Sequence, residues 1–216
     1  MCKKNIYKKF CYSQLMKKLN VNIINQLKDN YSYIVYEKDN PNVSIIDPAE
    51  SQNHINFLKQ NNLLLENILI THLHEDHISG IDGLIKFFPS AKIFAPSKLN
   101  SFPTSLIKEG DIINTAINEF TVLETPGHTL DHIILHDPHN KILFSGDTLF
   151  RLGCGRIFEG TYDQMYNSLK KINLLEDDTT VYCGHEYTIT NLSFLENQID
   201  NNEDLLSLRH QIESEL

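Results

Sequence analysis

An α/β (α+β) chain built from two β-sheets packed face to face, with helices outside, is the architecture this sequence predicts. Three features carry that expectation. Short β-branched and aromatic runs recur near the start and again between residues 91 and 144, segments of helical spacing interrupt them, and turn formers punctuate the joins. Val21–Ile24, Tyr31–Tyr36 and Val43–Ile46 read as strands, separated by Lys28-Asp29-Asn30 and Asp39-Asn40-Pro41-Asn42. Asp47-Pro48 ends the third run. Pro48 suits the first turn of a helix reaching about Asn61, where its missing N–H costs nothing. Asn67–Thr71 reads as a buried strand that runs into a cluster of histidines. Ile78, Ile81, Leu84, Ile85 and Phe88 then recur at helical spacing and predict one helix ended by Pro89. Strands return at Ala91–Phe94, Phe120–Leu123, His132–Leu135 and Lys141–Phe144, followed by a helix over Tyr162–Ile172 and a short strand at Thr180–Tyr182. The last 28 residues read as helical, with Leu192, Phe194, Leu195 and Ile199, then Leu205, Leu206, Leu208 and Ile212, as the apolar positions.

Length and composition narrow the class. At 216 residues the chain holds one domain with a small appendage, and 41% hydrophobic residues suffice for an ordinary core. The expected division is an extension over 1–15, a catalytic domain over 16–187 and a helical segment over 188–216. A formal charge of −9 leaves no broad electrostatic footprint for nucleic acid, so an anionic substrate needs a local basic group instead. Cys2, Cys11, Cys154 and Cys183 form no CxxC pair, which fits a reducing, cytoplasmic compartment. No run of 18 apolar residues exists, so no membrane span is expected. The first 28 residues hold seven Lys and no acid but lack the apolar stretch of a secretory signal. They read as an extension, as the upstream side of a start at Met16, or as an organelle-import segment, although such segments favour Arg. A monomer is expected.

The chemistry concentrates at Thr71-His72-Leu73-His74-Glu75-Asp76-His77, four metal-ligand side chains within six positions. Burying that many imidazoles and carboxylates is costly unless something binds them. Three further ligand types each sit in a Gly-punctuated turn after an apolar run: His128 in Thr125-Pro126-Gly127-His128, Asp147 in Phe144-Ser145-Gly146-Asp147, and His185 in Cys183-Gly184-His185. His72 and His74 are two apart, so an extended backbone places both on one side. Asp76 and His77 fall where strand gives way to helix and can be aimed at a neighbouring point. His128 then completes one ion's protein shell and His185 the other's. Asp147 is the candidate bridge, because a carboxylate has two oxygens. A lone His-x-His on a strand arises often by chance; this ordered set does not. The expectation is a binuclear metallohydrolase holding two divalent ions, zinc first, with iron or manganese as alternatives. Glu75 is expected to face solvent. Asp47 either orients a ligand histidine or caps the helix after it. His54, His132, His136, His139 and His210 are expected at the surface or behind the ligands.

With these residues aligned, the chain resembles the metallo-β-lactamase superfamily through the His-x-His-x-Asp-His order of His72 to His77. More narrowly it resembles glyoxalase II, the hydroxyacylglutathione hydrolases, over about residues 16 to 200. The matching segments are Asp29-Asn30-Tyr31, Thr125-Pro126-Gly127-His128-Thr129, Ser145-Gly146-Asp147-Thr148, Gly153-Cys154-Gly155-Arg156, Phe158-Glu159-Gly160-Thr161 and Cys183-Gly184-His185-Glu186-Tyr187-Thr188. The resemblance implies a four-layer αββα sandwich of two mixed sheets with the metals at one edge. It also implies hydrolysis of a glutathione thioester such as S-D-lactoylglutathione, a step in methylglyoxal removal. By that resemblance His72, His74 and His128 hold one ion, Asp76, His77 and His185 the other, and Asp147 bridges, with a hydroxide held between the ions beside Asp147 and Asp76. Substrate contacts fall on Arg156, Phe158 (commonly Tyr in that family) and Tyr187. Arg156 suits the carboxylates of glutathione, although an ordinary surface ion pair is its bland alternative. The family pattern continues past the position of Leu216 with a helical stretch whose basic residues grip glutathione.

Rival readings are weaker. A persulfide dioxygenase shares the fold by resemblance but uses a single iron, and a lactonase is a further relative. A secreted β-lactamase lacks support without a signal peptide, and a ribonuclease Z-like enzyme without a basic stripe. A non-enzymatic metal-binding relative conflicts with a complete set of seven ligands. Cys154 and Cys183 read as structural thiols rather than nucleophiles.

Overall fold

The computed structural model describes residues 19–198 and 203–215, so the expected extension over 1–15 and Ile199 lie outside the described residues. Six strands form the first sheet in sequence order: β1 (Leu19–Gln26), β2 (Asn30–Glu37), β3 (Asn42–Ile46), β4 (Leu64–Leu69), β5 (Lys92–Ala95) and β6 (Thr104–Leu106). The first three pair antiparallel through tight turns, whereas β3 to β6 run parallel. Parallel neighbours need a crossover. The first is α1 (Gln52–Gln60), and the second is a pair of short helices, α2 (Glu75–Ile78) and α3 (Ile81–Phe87).

The second sheet has five strands. These are β7 (Ile112–Asn114), β8 (Glu119–Glu124), β9 (Ile133–Asp137), β10 (Ile142–Gly146) and, after the ribbon β11 (Leu149–Phe150) and β12 (Gly153–Cys154), β13 (Thr180–Cys183). Their spatial order is β13-β10-β9-β8-β7, antiparallel except for the parallel β10–β13 pair. Helix α4 (Tyr162–Ile172) precedes β13, and α5 (Thr188–Gln198) and α6 (Glu203–Glu215) close the chain.

Strand alternation divides the apolar residues into two cores. Tyr33, Val35, Ile46 and Leu69 of the first sheet meet Phe120, Val122, Ile133, Leu135 and Phe144 of the second, which makes the two sheets a face-to-face sandwich. Ile34, Val43, Ile45, Ile68 and Ile93 point to the other face and bury Leu58 of α1 and Ile81 and Leu84 of α3. On the second sheet, α4 is tied to the end of β8, where Ser168 donates to the Pro126 carbonyl and Lys171 to that of Glu124. The two mixed sheets with flanking helices are the architecture expected. No helix among the described residues is long and apolar enough to cross a membrane.

Three expectations need correction. Pro48 is not in a helix: Asp47 adopts a left-handed backbone (φ 47°), Pro48 lies in the loop that follows, and α1 begins at Gln52 after Ser51. The single helix expected from Ile78 to Phe88 is two helices broken at Ser79–Gly80. Gly80 packs on the Pro48–Glu50 backbone so closely that a Cβ there would lie 2.7 Å from the Glu50 carbonyl carbon, and its N–H donates to the Pro48 carbonyl. That contact takes precedence over helix continuation. His54 and His136, expected at the surface or behind the ligands, are buried. His54 sits apart from the ligand-type residues, with Nδ1 donating to the Glu50 carbonyl and Nε2 accepting from Ser32 Oγ, both at 2.8 Å.

Candidate metal centre

Register explains why scattered residues meet. Because β3 and β4 run parallel with Ile46 opposite Leu69, Asp47 and Thr71 emerge side by side. Because β10 and β13 run parallel with Gly146 opposite Cys183, Asp147 and His185 also leave the sheet together. The antiparallel β8–β9 turn brings Thr125–His132 to the same edge, where Ile133 N–H donates to the Thr71 carbonyl across the two sheets. All seven expected ligand residues therefore stand at one edge of the sandwich.

They form two triads. His74 Nδ1 lies 3.1 Å from His72 Nε2 and 3.0 Å from His128 Nε2, so three ring nitrogens converge on one point. Asp76, His77 and His185 form the second: His185 Nε2 is 3.4 Å from Asp76 Oδ2, and His77 Nε2 is 3.9 Å from it. Asp147 lies between them. Its Oδ2 is 3.3 Å from both His128 Nε2 and His185 Nε2, and its Oδ1 is 3.5 Å from His77 Nε2. Gly184 permits that approach, since a Cβ there would sit 2.2 Å from Asp147 Oδ1.

The residues present fit divalent cations on a physical test. His77 Nε2 and Asp147 Oδ1 are fully buried and have no hydrogen-bond partner among the described residues. Such atoms are costly unless a ligand satisfies them. The converging imidazoles likewise have lone pairs aimed at one another, which only a shared cation or proton makes favourable. The His/Asp clusters are thus able to bind metal ions.

Supporting contacts fix the rings. Asp47, the residue with two expected roles, does not cap a helix. Its carboxylate accepts from Thr71 N–H (2.8 Å), Thr71 Oγ1 (2.6 Å) and His77 Nδ1 (3.1 Å), which points His77 Nε2 at the centre. His128 Nδ1 donates to the Arg156 carbonyl at 2.8 Å, and His185 Nδ1 to Asp29 Oδ1 at 3.0 Å. His132, expected at the surface or behind the ligands, is fully buried behind them and accepts from Asp147 N–H through Nε2. Glu75 faces solvent, as expected. No spacing marks Asp29 and Asn30 as supports of the candidate ligands; their one sequence signal is the Asp29-Asn30-Tyr31 segment itself.

Electrostatics divide the two triads. Burial pushes His72 far below the ordinary imidazole value, with neighbouring imidazoles adding to it, and burial also lowers His128 despite Asp147. Burial opposes charge on His77 and His185 as well, but surrounding carboxylates outweigh it, pushing His185 up to about 10. Asp76 is held well below the carboxylate range, first by its His185 hydrogen bond, and Asp147 is lowered by His185 and His77 against burial. Burial thus disfavours the charged forms of His72 and His128 and leaves their lone pairs ready to donate, whereas a cation entering beside His77 and His185 must displace protons.

Above the triads lies an open pocket of about 450 Å³ lined by His74, Asp76, His128, Asp147, Phe150, Arg156, Phe158, His185 and Tyr187. Phe158 stands edge-on to His74 and His128, Tyr187 stacks on His185 with rings 4.8 Å apart, and the Arg156 guanidinium lies 5.6 Å from the Phe158 ring centre. All three expected substrate-contact residues therefore line one wall system around the ligand set.

A sandwich of two mixed sheets with a His/Asp cluster at the shared edge defines a class, and the matching family model agrees over residues 28–185: the chain belongs to the metallo-β-lactamase superfamily. Within it, the chain is 43% identical over 195 residues to a hydroxyacylglutathione hydrolase of Pectobacterium atrosepticum, covering 90% of this chain and 76% of that one. Among solved structures it is similar to ETHE1 from Myxococcus xanthus, with a TM-score of 0.71 and 29% identity over 78% of this chain and 76% of that one. It is also similar to the BLEG-1 B3 metallo-β-lactamase, with a TM-score of 0.67 and 26% identity over 78% and 91% of the two chains.

Proposed function

We propose that this chain is a hydroxyacylglutathione hydrolase, a thioester hydrolase that cleaves S-(2-hydroxyacyl)glutathione into glutathione and a 2-hydroxy carboxylate. The observation that carries the reading is the Asp147 carboxylate, which reaches His128 on one side and His77 and His185 on the other within 3.5 Å. The likeness to relatives of that name supports the choice of substrate. His72, His74 and His128 would hold one divalent cation and Asp76, His77 and His185 a second, with Asp147 shared and zinc the first candidate. When bound, such cations supply Lewis acidity toward a carbonyl and a nucleophile from water whose pKa falls from 15.7 to about 7.

The chain's own residues do the rest. Phe158 and Phe150 present apolar walls that limit water around the thioester, and Tyr187, whose ring stands edge-on to Phe150 with centroids 5.2 Å apart, adds a ring and a hydroxyl. The Tyr187 hydroxyl is pushed up to about 12, by burial and then by nearby Asp29, Asp147 and Asp76, so it stays a hydrogen-bond donor at neutral pH. Arg156 brings a guanidinium to the pocket lining, suited to a glutathione carboxylate. Hydrolysis adds water across the C–S bond, and the departing thiolate is a weak enough base to leave without a dedicated acid. No thiol nucleophile is used: Cys183 is half-buried with its Sγ donating to the His185 carbonyl, and burial raises both its pKa and that of Cys154.

A spectrophotometric assay against S-D-lactoylglutathione, run beside a lactone and a β-lactam on metal-loaded protein, tests the reading. Thioester turnover well above the other two is expected. Loaded protein that turns over only the lactone or the β-lactam contradicts it.

A further inference from the structure

We propose that the Asp29-Asn30-Tyr31 turn positions Asp76 and His185, two members of the triad whose third, His77, is held by Asp47, and serves that triad alone, with Asn30 as the central residue of the turn. The proposal rests on the two-cation reading above. Asn30 opens β2, is buried, and forms an isolated bridge with His185. Its Nδ2 donates to Asp76 twice, to the side-chain Oδ2 at 2.9 Å and to the backbone carbonyl at 3.1 Å. One amide thereby fixes the carboxylate relative to its own main chain.

Asp76 needs that restraint. It sits on the four-residue helix α2, and its side chain is 40% exposed, against 1% for His77 and 5% for His185. Water competes for its oxygens and packing does not hold its rotamer. The residues beside Asn30 hold the neighbouring ligand: Asp29 Oδ1 accepts from His185 Nδ1 at 3.0 Å, and Tyr31 OH donates to Glu186 at 2.8 Å. Backbone bonds from Tyr31 N–H to the Gly184 carbonyl and from Glu186 N–H to the Asp29 carbonyl register the turn against the His185 loop. The other triad is supported elsewhere, with Thr71 Oγ1 3.1 Å from His72 Nδ1 and the Arg156 carbonyl 2.8 Å from His128 Nδ1. Breaking the turn's contacts therefore loosens one cation site and spares its neighbour.

Zinc affinity measured by chelator competition on the full chain tests this, with His128→Ala and His185→Ala identifying which binding step belongs to which triad. Asn30→Ala should weaken the step that His185→Ala abolishes by roughly tenfold to a hundredfold and leave the other unchanged. Asp29→Ala should do the same, and Asp29→Asn, which keeps an acceptor for His185 Nδ1, should recover most of the loss. Equal weakening of both steps, or wild-type affinity in Asn30→Ala, overturns the proposal. So does loss of the folded state by circular dichroism in both alanine variants, since the turn would then be a structural staple. A wild-type protein that binds one zinc overturns the two-cation reading and this proposal together, a result distinguishable because it precedes any variant.

Discussion

Asp47 collects three donors on one buried carboxylate, and of these Thr71 Oγ1 also lies 3.1 Å from His72 Nδ1. Asp47→Ala would leave the Thr71 N–H unsatisfied, at a cost on the order of 1–3 kcal/mol, and would free His77 to rotate. Metal affinity should fall roughly tenfold to a hundredfold, read by chelator competition, with the thermal midpoint lowered in the same variant. Buried histidines away from the ligands have a different consequence. Burial pushes His54 down to about 4, against the raising effect of its bond to the Glu50 carbonyl, while the unfolded chain keeps a value near 6.5. Between those values the unfolded state binds a proton that the folded state refuses, so stability rises with pH across this window. It is fully present above pH 6.5 and declines as pH falls toward 4, by on the order of 3 kcal/mol from this group. Urea unfolding at pH 4.5 and 7 should show a smaller difference in His54→Gln than in the wild type. An equal difference would remove His54 from the account.

Among the elements, those with several periodic apolar residues were legible and those of two or three residues were not. Helix α4 runs from Tyr162 to Ile172 as its pattern implied, and Thr161 caps it with a full capping box to Gln164. Strands β6, β7, β11 and β12 escaped because two or three residues carry no period that can be separated from a loop. The break at Gly80 escaped for another reason: it depends on a backbone approach to Pro48 and Glu50 that is remote in sequence. For the site, histidines and aspartates in Gly-flanked turns announced themselves, whereas Asn30 and Thr71 act through contacts that no spacing encodes. The glycines of those turns are themselves functional. At Gly184 an added methyl group would overlap Asp147 Oδ1 at 2.2 Å and crowd His77 at 2.9 Å. Gly184→Ala should therefore cost about a hundredfold in kcat, the scale of an ångström-sized misplacement. Near-wild-type turnover in that variant would show that Asp147 does not have to sit where it does.

The whole molecule is a device for bringing strand ends together. Parallel pairing of β3 with β4 and of β10 with β13, with the antiparallel β8–β9 turn, sets the four loops that carry the candidate ligands at one edge, and the Ile133–Thr71 backbone bond locks the two sheets there. The sandwich beneath explains how so many groups converge without a large loop cage, and Arg156, Phe158 and Tyr187 line the pocket above it. Sharing of Asp147 between two cations is the claim on which the proposed chemistry stands. Anomalous diffraction at the zinc edge, from crystals of zinc-loaded protein, measures it directly. The expected result is two peaks roughly 3.5–4 Å apart with the Asp147 carboxylate between them. A single peak within the His72, His74 and His128 triad, or a second peak away from Asp76, His77 and His185, would contradict it.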